Sequence, residues 1–415
     1  MTAEVVIVNK SAVALAADSA VTVSLLDSRG NNNDKIFNTA NKLFALSKTA
    51  PIGIMVYNTM ELGGVPWETI IKQYRRVNKG KKLEKLEQYA DDFFNFLCSN
   101  ESLFPEAHID QVTQNILTWF FYEFRGSITS KKIASNKFNE YINLLEKKDF
   151  AEGFSQEDLQ IIIRDKSKVI DNTVAQIFKA AHIKGLKTKY RKLAALALIK
   201  DIKLSGYSGV VFSGFGENEM FPTTIDYYTD LIILGKVRKK KNDTYTPSQF
   251  DAGKVLPFAQ EDITRTVLEG INPQYAGAIQ SSAIDFFIEL PNKIVQEINE
   301  LDDIKKDKYS KQATEAMRCA LIEFFNLMDS ERKMKHTFQI ERAIQMMPFS
   351  ELAEVAEVFI RLTQVRQRLS PDSETVGGPV DVAVISKADG FVWIKRKFYF
   401  DKELNYSFSQ NYMQE

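Results

Sequence analysis

Cysteine and histidine are scarce in this 415-residue sequence. Its two cysteines, Cys98 and Cys319, are too few for a disulfide framework, and neither has a second metal ligand at short spacing. The three histidines, His108, His182 and His336, are scattered through helical segments with no recurring carboxylate or cysteine beside them. We therefore interpret them as structural or surface residues and expect neither a zinc site nor a Ser–His–Asp site. No metal and no organic cofactor is predicted.

An excess of one charge sign and long apolar runs are also missing. Lys and Arg together number 54, as do Asp and Glu, which argues against a dedicated binder of nucleic acid or anionic membrane. No apolar run approaches the ~20 residues that span a bilayer. The first residues contain Glu4 and lack the basic region of a secretory signal. We expect a cytoplasmic protein without a nucleic-acid or membrane partner.

Strand-like patterns lie near both ends of the chain and at its middle. Short apolar runs rich in β-branched residues predict strands. The predicted strands are 5–8, 13–17, 35–37, 42–46, 52–56, 209–212, 229–234, 380–385 and 391–394. The last two are joined by the turn residues Asp389 and Gly390.

Helical patterns fill the rest of the chain. Apolar residues at helical spacing predict helices from Pro66 to about Arg76 and at 86–97, 108–124, 136–147, 167–202, 261–269 and 350–368, with a helical block at 276–348. The basic run 237–241 is interpreted as a solvated loop or hairpin. The chain begins with strands, continues with inserted helices and ends with strands, and this order predicts an α+β unit. The apolar strands indicate sheets that are covered on both faces.

One domain is predicted for residues 1–415. Its core would comprise 1–78, 200–275 and 349–405, interrupted by helical insertions at 79–199 and 276–348.

The amino-terminal residues carry the strongest chemical signal. Thr2 is small enough that removal of the initiator Met would expose it. A free N-terminal Thr places a hydroxyl nucleophile and a base on one residue, since the α-amine has a pKa of about 7.7–8.0. A nearby cation would favour the alkoxide, and a carboxylate would hold that cation. Asp18 and Lys35 are of the required types and stand at predicted strand ends. In isolation, each of these residues is also common in ordinary structural positions.

The order of these residues resembles a known family. Thr2, Ala16-Ala17-Asp18, Lys35-Ile36-Phe37 and Lys42-Leu43-Phe44-Ala45 resemble the catalytic β-subunits of proteasomes and their bacterial ring-protease relatives, which are N-terminal-nucleophile hydrolases. Asp18 keeps the family's spacing of sixteen residues from the Thr, and Lys35 lies one residue further along than the family's Lys. The resemblance covers about half of the chain.

The resemblance implies a four-layer αββα sandwich with Thr2 as the nucleophile and its α-amine as the base. Lys35, held by Asp18, would support the nucleophile. Asp372 and Thr375 would support the amine, although Val376 interrupts the family's pattern before Gly377. Backbone N–H groups near Tyr57 and Asn58 would receive the oxyanion, although the family commonly has Gly there. Gln260 lies where the family has a serine before a mid-chain helix.

The function implied is a Thr-dependent amidohydrolase, and a peptidase acting on a peptide or protein substrate is the first hypothesis. Similar proteases assemble as homo-oligomeric rings and receive unfolded chains from a separate ATPase. A second hypothesis is a catalytically inactive scaffold of the same fold that binds a partner through its helical insertions. Hydrolysis of a small non-peptide amide is a third, and pocket shape would have to decide it.

Overall fold

Mixed α and β structure is found throughout the residues that the computed structural model describes, which are 2–26, 32–204, 206–249, 251–371, 375–401 and 403–407. The strands are β1 Ala3–Asn9, β2 Ala12–Ala17, β3 Val21–Leu26, β4 Asn32–Phe37, β5 Leu43–Ala45, β6 Ile52–Asn58, β7 Glu61–Leu62, β8 Val65–Pro66, β9 Ser208–Gly214, β10 Thr223–Ile233, β11 Lys236–Tyr245, β12 Gly253–Ala259, β13 Asp381–Ser386 and β14 Gly390–Lys395.

Helices separate three groups of strands. They are α1 Trp67–Val77, α2 Leu86–Ser99, α3 Glu106–Tyr122, α4 Lys131–Glu146, α5 Gln156–Asp165, α6 Ser167–Ile177, α7 Ala180–Ile183, α8 Lys187–Ile199, α9 Asp262–Glu269, α10 Pro273–Gln296, α11 Asp303–Arg332, α12 Phe338–Gln345 and α13 Phe349–Arg368, with a π-helical turn at Lys333–Thr337. Among the described residues, no helix combines the length and the apolar character that a membrane crossing requires.

Two five-stranded antiparallel sheets form the centre of the molecule. The first has the strand order β12-β1-β2-β13-β14 and the second the order β11-β10-β9-β6-β5. Strands from the beginning and the end of the chain therefore pair within one sheet, since β2 lies between β1 and β13. The remaining strands form two hairpins, β3-β4 and β7-β8.

Both faces of the central strands are buried, which explains their continuous apolar character. In β1, Val6 and Val8 belong to the core between the two sheets, whereas Val5 and Ile7 pack with residues of α12 and α13. The second sheet repeats this division: Met55 faces the first sheet, and Ile54 packs with residues of α1 and α2. Helices therefore cover the outer face of each sheet.

The helices between β8 and β9 enclose a further core of their own. Phe121, Phe138 and Leu193 are buried there and pack with Leu231 and Ile233 of β10. The hairpin of α10 and α11 differs, because its buried residues are Pro291, Val295 and Leu321, whereas many of its apolar side chains are exposed.

One prediction of secondary structure was confirmed in part and another was wrong. The basic run 237–241, predicted as a solvated loop or hairpin, lies in β11, which forms a hairpin with β10. Lys240 and Lys241 are exposed there, whereas Arg238 is buried against Asp230. The segment 167–202, predicted as one helix, forms α6, α7 and α8. Gly185, with φ of +78°, lies at the last of these breaks in a conformation that favours glycine.

Candidate active site

Thr2 directly precedes β1, which lies between β12 and β2 in the first sheet. Its carbonyl accepts a hydrogen bond from the Gln260 N–H at 3.1 Å, and the Asp18 N–H donates to the Ala3 carbonyl at 3.1 Å. Side chains alternate along a strand, so Thr2 and Glu4 point to the same side as Val6, towards the second sheet. Thr2 is only 1% exposed.

The Thr2 hydroxyl contacts a carboxylate and a backbone N–H. Its Oγ1 donates to Glu4 Oε2 at 3.1 Å and accepts from the Asn58 N–H at 3.4 Å. Asn58 ends β6 with φ of +67°, a left-handed conformation that Asn adopts more readily than most residues with a side chain. Asn58, predicted to provide an oxyanion donor, therefore directs its N–H at the predicted nucleophile.

Asp18 joins three separate segments of the chain. Its Oδ1 accepts the N–H of Ala3 at 3.0 Å, and its Oδ2 accepts those of Ala20 at 3.1 Å and Gly377 at 3.0 Å. Oδ1 also accepts a short hydrogen bond from Lys42 Nζ. Asp18 is fully buried, and these donors satisfy the carboxylate away from water.

The lysine beside Asp18 is Lys42, so the predicted pairing of Lys35 with Asp18 does not hold. Lys42 is fully buried, and its Nζ lies 3.5 Å from Glu4 Oε1 as well as against Asp18. Lys35 is exposed on β4, and its Nζ lies 5.0 Å from the ring centroid of Phe37. Both lysines precede an apolar residue and a phenylalanine, and the local sequence does not separate them.

Glu4 was missed in the sequence because the resemblance gives no role to that position. It is 2% exposed, and burial raises the pKa of its carboxyl to about 8, although the neighbouring Lys42 ammonium lowers it. The available signal was a single acid at the start of β1, directly before the apolar run Val5–Val8.

The other predicted residues lie around this centre or outside the described part. The Tyr57 side chain extends between the sheets, where its hydroxyl donates to Asp226 at 3.0 Å. An oxyanion role for the Tyr57 N–H stays a prediction. Thr375 is buried, and its hydroxyl has no hydrogen-bond partner among the described residues. Asp372 lies outside the described residues, so its predicted role also stays a prediction.

A second buried ion pair, between Lys397 and Asp381, lies near the pair of Lys42 and Asp18. Asp381, at the start of β13, accepts a hydrogen bond from the Lys397 N–H at 2.8 Å and forms an ion pair with Lys397 Nζ. Burial lowers the pKa of Lys397, and the Asp381 carboxylate opposes that shift; Lys42 and Asp18 also act on it. Within the described ranges, no group of three or more His, Cys, Asp or Glu side chains is placed to hold a metal ion.

A cavity of about 470 Å³ opens between the sheets near this centre. It is lined by Tyr57, Asp226, Phe258 and residues of β11, α9 and α12. Tyr57 and Phe258, whose ring centroids lie 5.4 Å apart, belong to this lining, whereas Thr2, Glu4 and Asn58 do not.

Comparison with known proteins gives little further information. No family model matches this chain, and no curated protein matches it. Among solved structures, the chain is similar to one in the helical assembly of the Anbu complex from Pseudomonas aeruginosa, with 9% identity over 99% of this chain and 94% of that chain and a TM-score of 0.28. A likeness at that TM-score supports no inference about fold or function.

Proposed function

We propose that this chain is a threonine-dependent amidohydrolase of the N-terminal-nucleophile type and that Thr2 is its nucleophile. The observation that carries the proposal is the position of the Thr2 hydroxyl between the Glu4 carboxyl and the Asn58 N–H, beside the buried pair of Lys42 and Asp18. Acyl transfer requires a nucleophile, a proton acceptor and a donor for the oxyanion close to one another.

The arrangement of the sheets supports the same proposal. Two antiparallel sheets face each other, and helices cover their outer faces, as expected for an αββα sandwich. Thr2, Asp18 and Asn58 lie at strand ends that meet at one end of these sheets. We assign Lys42 the supporting role that the sequence had suggested for Lys35.

In the proposed reaction, loss of Met1 makes Thr2 the first residue. Thr2 Oγ1 attacks the amide carbonyl, the Asn58 N–H stabilises the oxyanion, and Lys42 stabilises negative charge near the nucleophile. Departure of the amine leaves an ester on Thr2, which water hydrolyses. The resemblance assigns the first proton to the Thr2 α-amine. Because Thr2 is 1% exposed in the full chain, processing must also open a route to Oγ1.

Peptide or protein amides are the proposed substrate class. The cavity beside Tyr57 is large enough to hold a substrate side chain, with Asp226 at its wall. Self-assembly and delivery of unfolded chains by a separate ATPase remain expectations of the family resemblance.

A catalytically silent scaffold remains the second candidate. The burial of Thr2 favours it, as do the exposed apolar side chains of α10 and α11, such as Phe286, Ile322 and Phe324. Such side chains are frequent at protein–protein contacts.

Alanine and serine at position 2 distinguish the two candidates. The protein would be made as a fusion whose cleavage leaves residue 2 first, and fluorogenic peptide amides of varied sequence would be screened. Thr2→Ala should abolish hydrolysis without loss of folding, whereas Thr2→Ser should retain part of it because a hydroxyl remains. Hydrolysis that survives in Thr2→Ala would reject the mechanism, and a folded, processed wild type that cleaves none of the amides would favour the scaffold.

A further inference from the structure

Glu4 is a buried acid with a direct contact to the proposed nucleophile. It is the only charged residue of β1, and its strand neighbours Phe258 and Ala17 carry no charge. Burial of a carboxyl group in such a strand is costly unless it is paired. Among the described residues, Oε1 contacts Lys42 alone, at 3.5 Å, so the Thr2 hydroxyl at Oε2 is the closest polar partner of Glu4 there.

We infer that Glu4 is the general base that accepts the Thr2 hydroxyl proton, an inference that rests on the proposed function. A general base must lie within hydrogen-bond reach of the proton that it removes, and Thr2 Oγ1 already donates to Glu4 Oε2 at 3.1 Å. Lys42 Nζ contacts Asp18 more closely than Glu4, from whose Oε1 it lies 3.5 Å away, so Glu4 Oε2 remains available to Thr2. The resemblance gives this proton to the α-amine, and Glu4 would replace the amine in that role.

The charges around Glu4 determine when it can act. Lys42 from the segment before β5 and Asp18 from the end of β2 face it, and the Lys397–Asp381 pair lies beyond them. Burial outweighs the Lys42 charge and brings the pKa of the carboxyl to about 8. At pH 7 roughly one molecule in ten would hold the carboxylate. Nucleophile activation should therefore increase with pH until about 8, as expected for a base with a pKa near the working pH.

The proton balance closes without a co-reactant other than water. The Oγ1–H bond breaks as the Oγ1–C bond forms, the proton passes to Glu4 Oε2, and the carbonyl electrons form the oxyanion. Collapse of the oxyanion breaks the C–N bond, and Glu4 returns the proton to the departing amine. In deacylation, Glu4 takes a proton from water as the water oxygen attacks the ester, and it then restores the Thr2 hydroxyl.

Acylation by a β-lactone tests this role without knowledge of the natural substrate. Processed wild-type protein would be treated between pH 6 and 10, and the rate of adduct formation would be followed by intact mass, with peptide mapping of the site. We expect a rate that rises about tenfold per pH unit and levels off near pH 8. Glu4→Gln should lower the plateau about 100-fold or more and abolish this rise.

Two further variants control the experiment. Glu4→Asp keeps an acid but withdraws its oxygens from Thr2, so it should retain the pH rise at an intermediate rate. Glu61→Gln makes the same change as Glu4→Gln at an exposed side chain and should match the wild type. Circular dichroism would establish that each variant is folded.

The outcomes separate the two proposals. A folded Glu4→Gln protein with the wild-type rate and pH profile would overturn the role of Glu4 and leave Thr2 as the nucleophile. If Glu4→Gln does not fold, an unchanged rate in Glu4→Asp would overturn the role instead. A folded wild type that forms no adduct on Thr2 would overturn the proposed function and, with it, the role of Glu4.

Discussion

Replacement of Lys42 by methionine separates the charge of this side chain from its volume. Lys42 is fully buried against Asp18 and Glu4, and Met occupies a similar space without an ammonium group. Removal of one member of a buried ion pair typically costs about 3–5 kcal/mol, because a charge remains buried without its partner. Domains are commonly stable by only about 5–15 kcal/mol, so this loss would be a large share of the total.

The two remaining carboxyl groups should respond differently to that replacement. Asp18 would keep its bonds from three backbone N–H groups, whereas Glu4 would keep only the Thr2 hydroxyl. Because Lys42 lowers the pKa of Glu4, its loss should raise that pKa above about 8 and hold Glu4 neutral at pH 7. We therefore expect a loss of about 3 kcal/mol at pH 7, at the lower end of the range.

The stability lost in Lys42→Met should increase above pH 8. An unfolded Glu has a pKa near 4.5, so above that value the folded state binds the extra proton, and stability falls as pH rises. In the wild type this fall ends near pH 8, where Glu4 ionises. In Lys42→Met it should continue above pH 8, at up to about 1.4 kcal/mol per pH unit.

Urea denaturation followed by circular dichroism, at pH 7 and pH 9, would measure both effects. Lys35→Met is the matched control, because Lys35 is exposed and its replacement should change stability by no more than about 0.5 kcal/mol. A Lys42→Met protein within about 1 kcal/mol of the wild type at both pH values, or an equal cost in the control, would refute the reasoning.

Three further predictions follow from neighbouring contacts. A Cβ on Gly209 would lie 2.0 Å from Tyr57 Cζ, so Gly209→Ala should displace the Tyr57 ring. We expect a loss of about 1–3 kcal/mol in the free energy of unfolding, measured by urea denaturation, and slower acylation of Thr2; no change in either would contradict this packing. The wild type should lose stability between pH 5 and 8, by up to about 1.4 kcal/mol per pH unit, and Glu4→Gln should not, because glutamine does not titrate. Urea midpoints at pH 5 and pH 8 would show whether the variant still loses stability. Thr375→Val should be neutral or slightly stabilising in thermal denaturation because the hydroxyl is buried without a described partner, and a loss above about 1 kcal/mol would reveal one.

The strands that carry Thr2 and Asp18 were predictable because their signal is local. Runs such as Val5–Val8 and Val13–Ala17 are apolar on both faces, and the structure confirms them as the adjacent strands β1 and β2. The same reasoning predicted a strand at 52–56, which the structure extends to Asn58. These features depend on neighbouring residues, which sequence patterns describe well.

The choice between two lysines was not predictable in the same way. Lys35 and Lys42 stand in similar local sequences. The β3-β4 hairpin, which contains Lys35, lies between Asp18 and Lys42 along the chain. The Lys42 carbonyl accepts the Val56 N–H at 2.9 Å, so its place depends on pairing with β6.

The interpretation of the basic run as a solvated turn was incomplete for a related reason. Consecutive charged residues at 237–241 indicate a solvated turn when neighbours are unknown. In the structure, Arg238 pairs with Asp230, Lys239 with Asp91, and Lys241 with Glu87. These partners are distant in sequence or lie on the opposing strand, so tertiary contacts overrode the local preference.

The convergence of distant segments on Asp18 also bears on synthesis of the chain. Its carboxylate accepts N–H groups from Ala3, Ala20 and Gly377, so the arrangement around Thr2 remains incomplete until residue 377 has left the ribosome. At roughly 5–20 residues per second, translation to that point takes roughly 20–75 seconds. Contacts of such sequence separation also form late in folding. Glu4, Lys42 and Asn58 are made early, whereas the Gly377 N–H that completes the bonds of Asp18 is made almost last, so the surroundings of Thr2 reach their final form only when the chain is nearly finished.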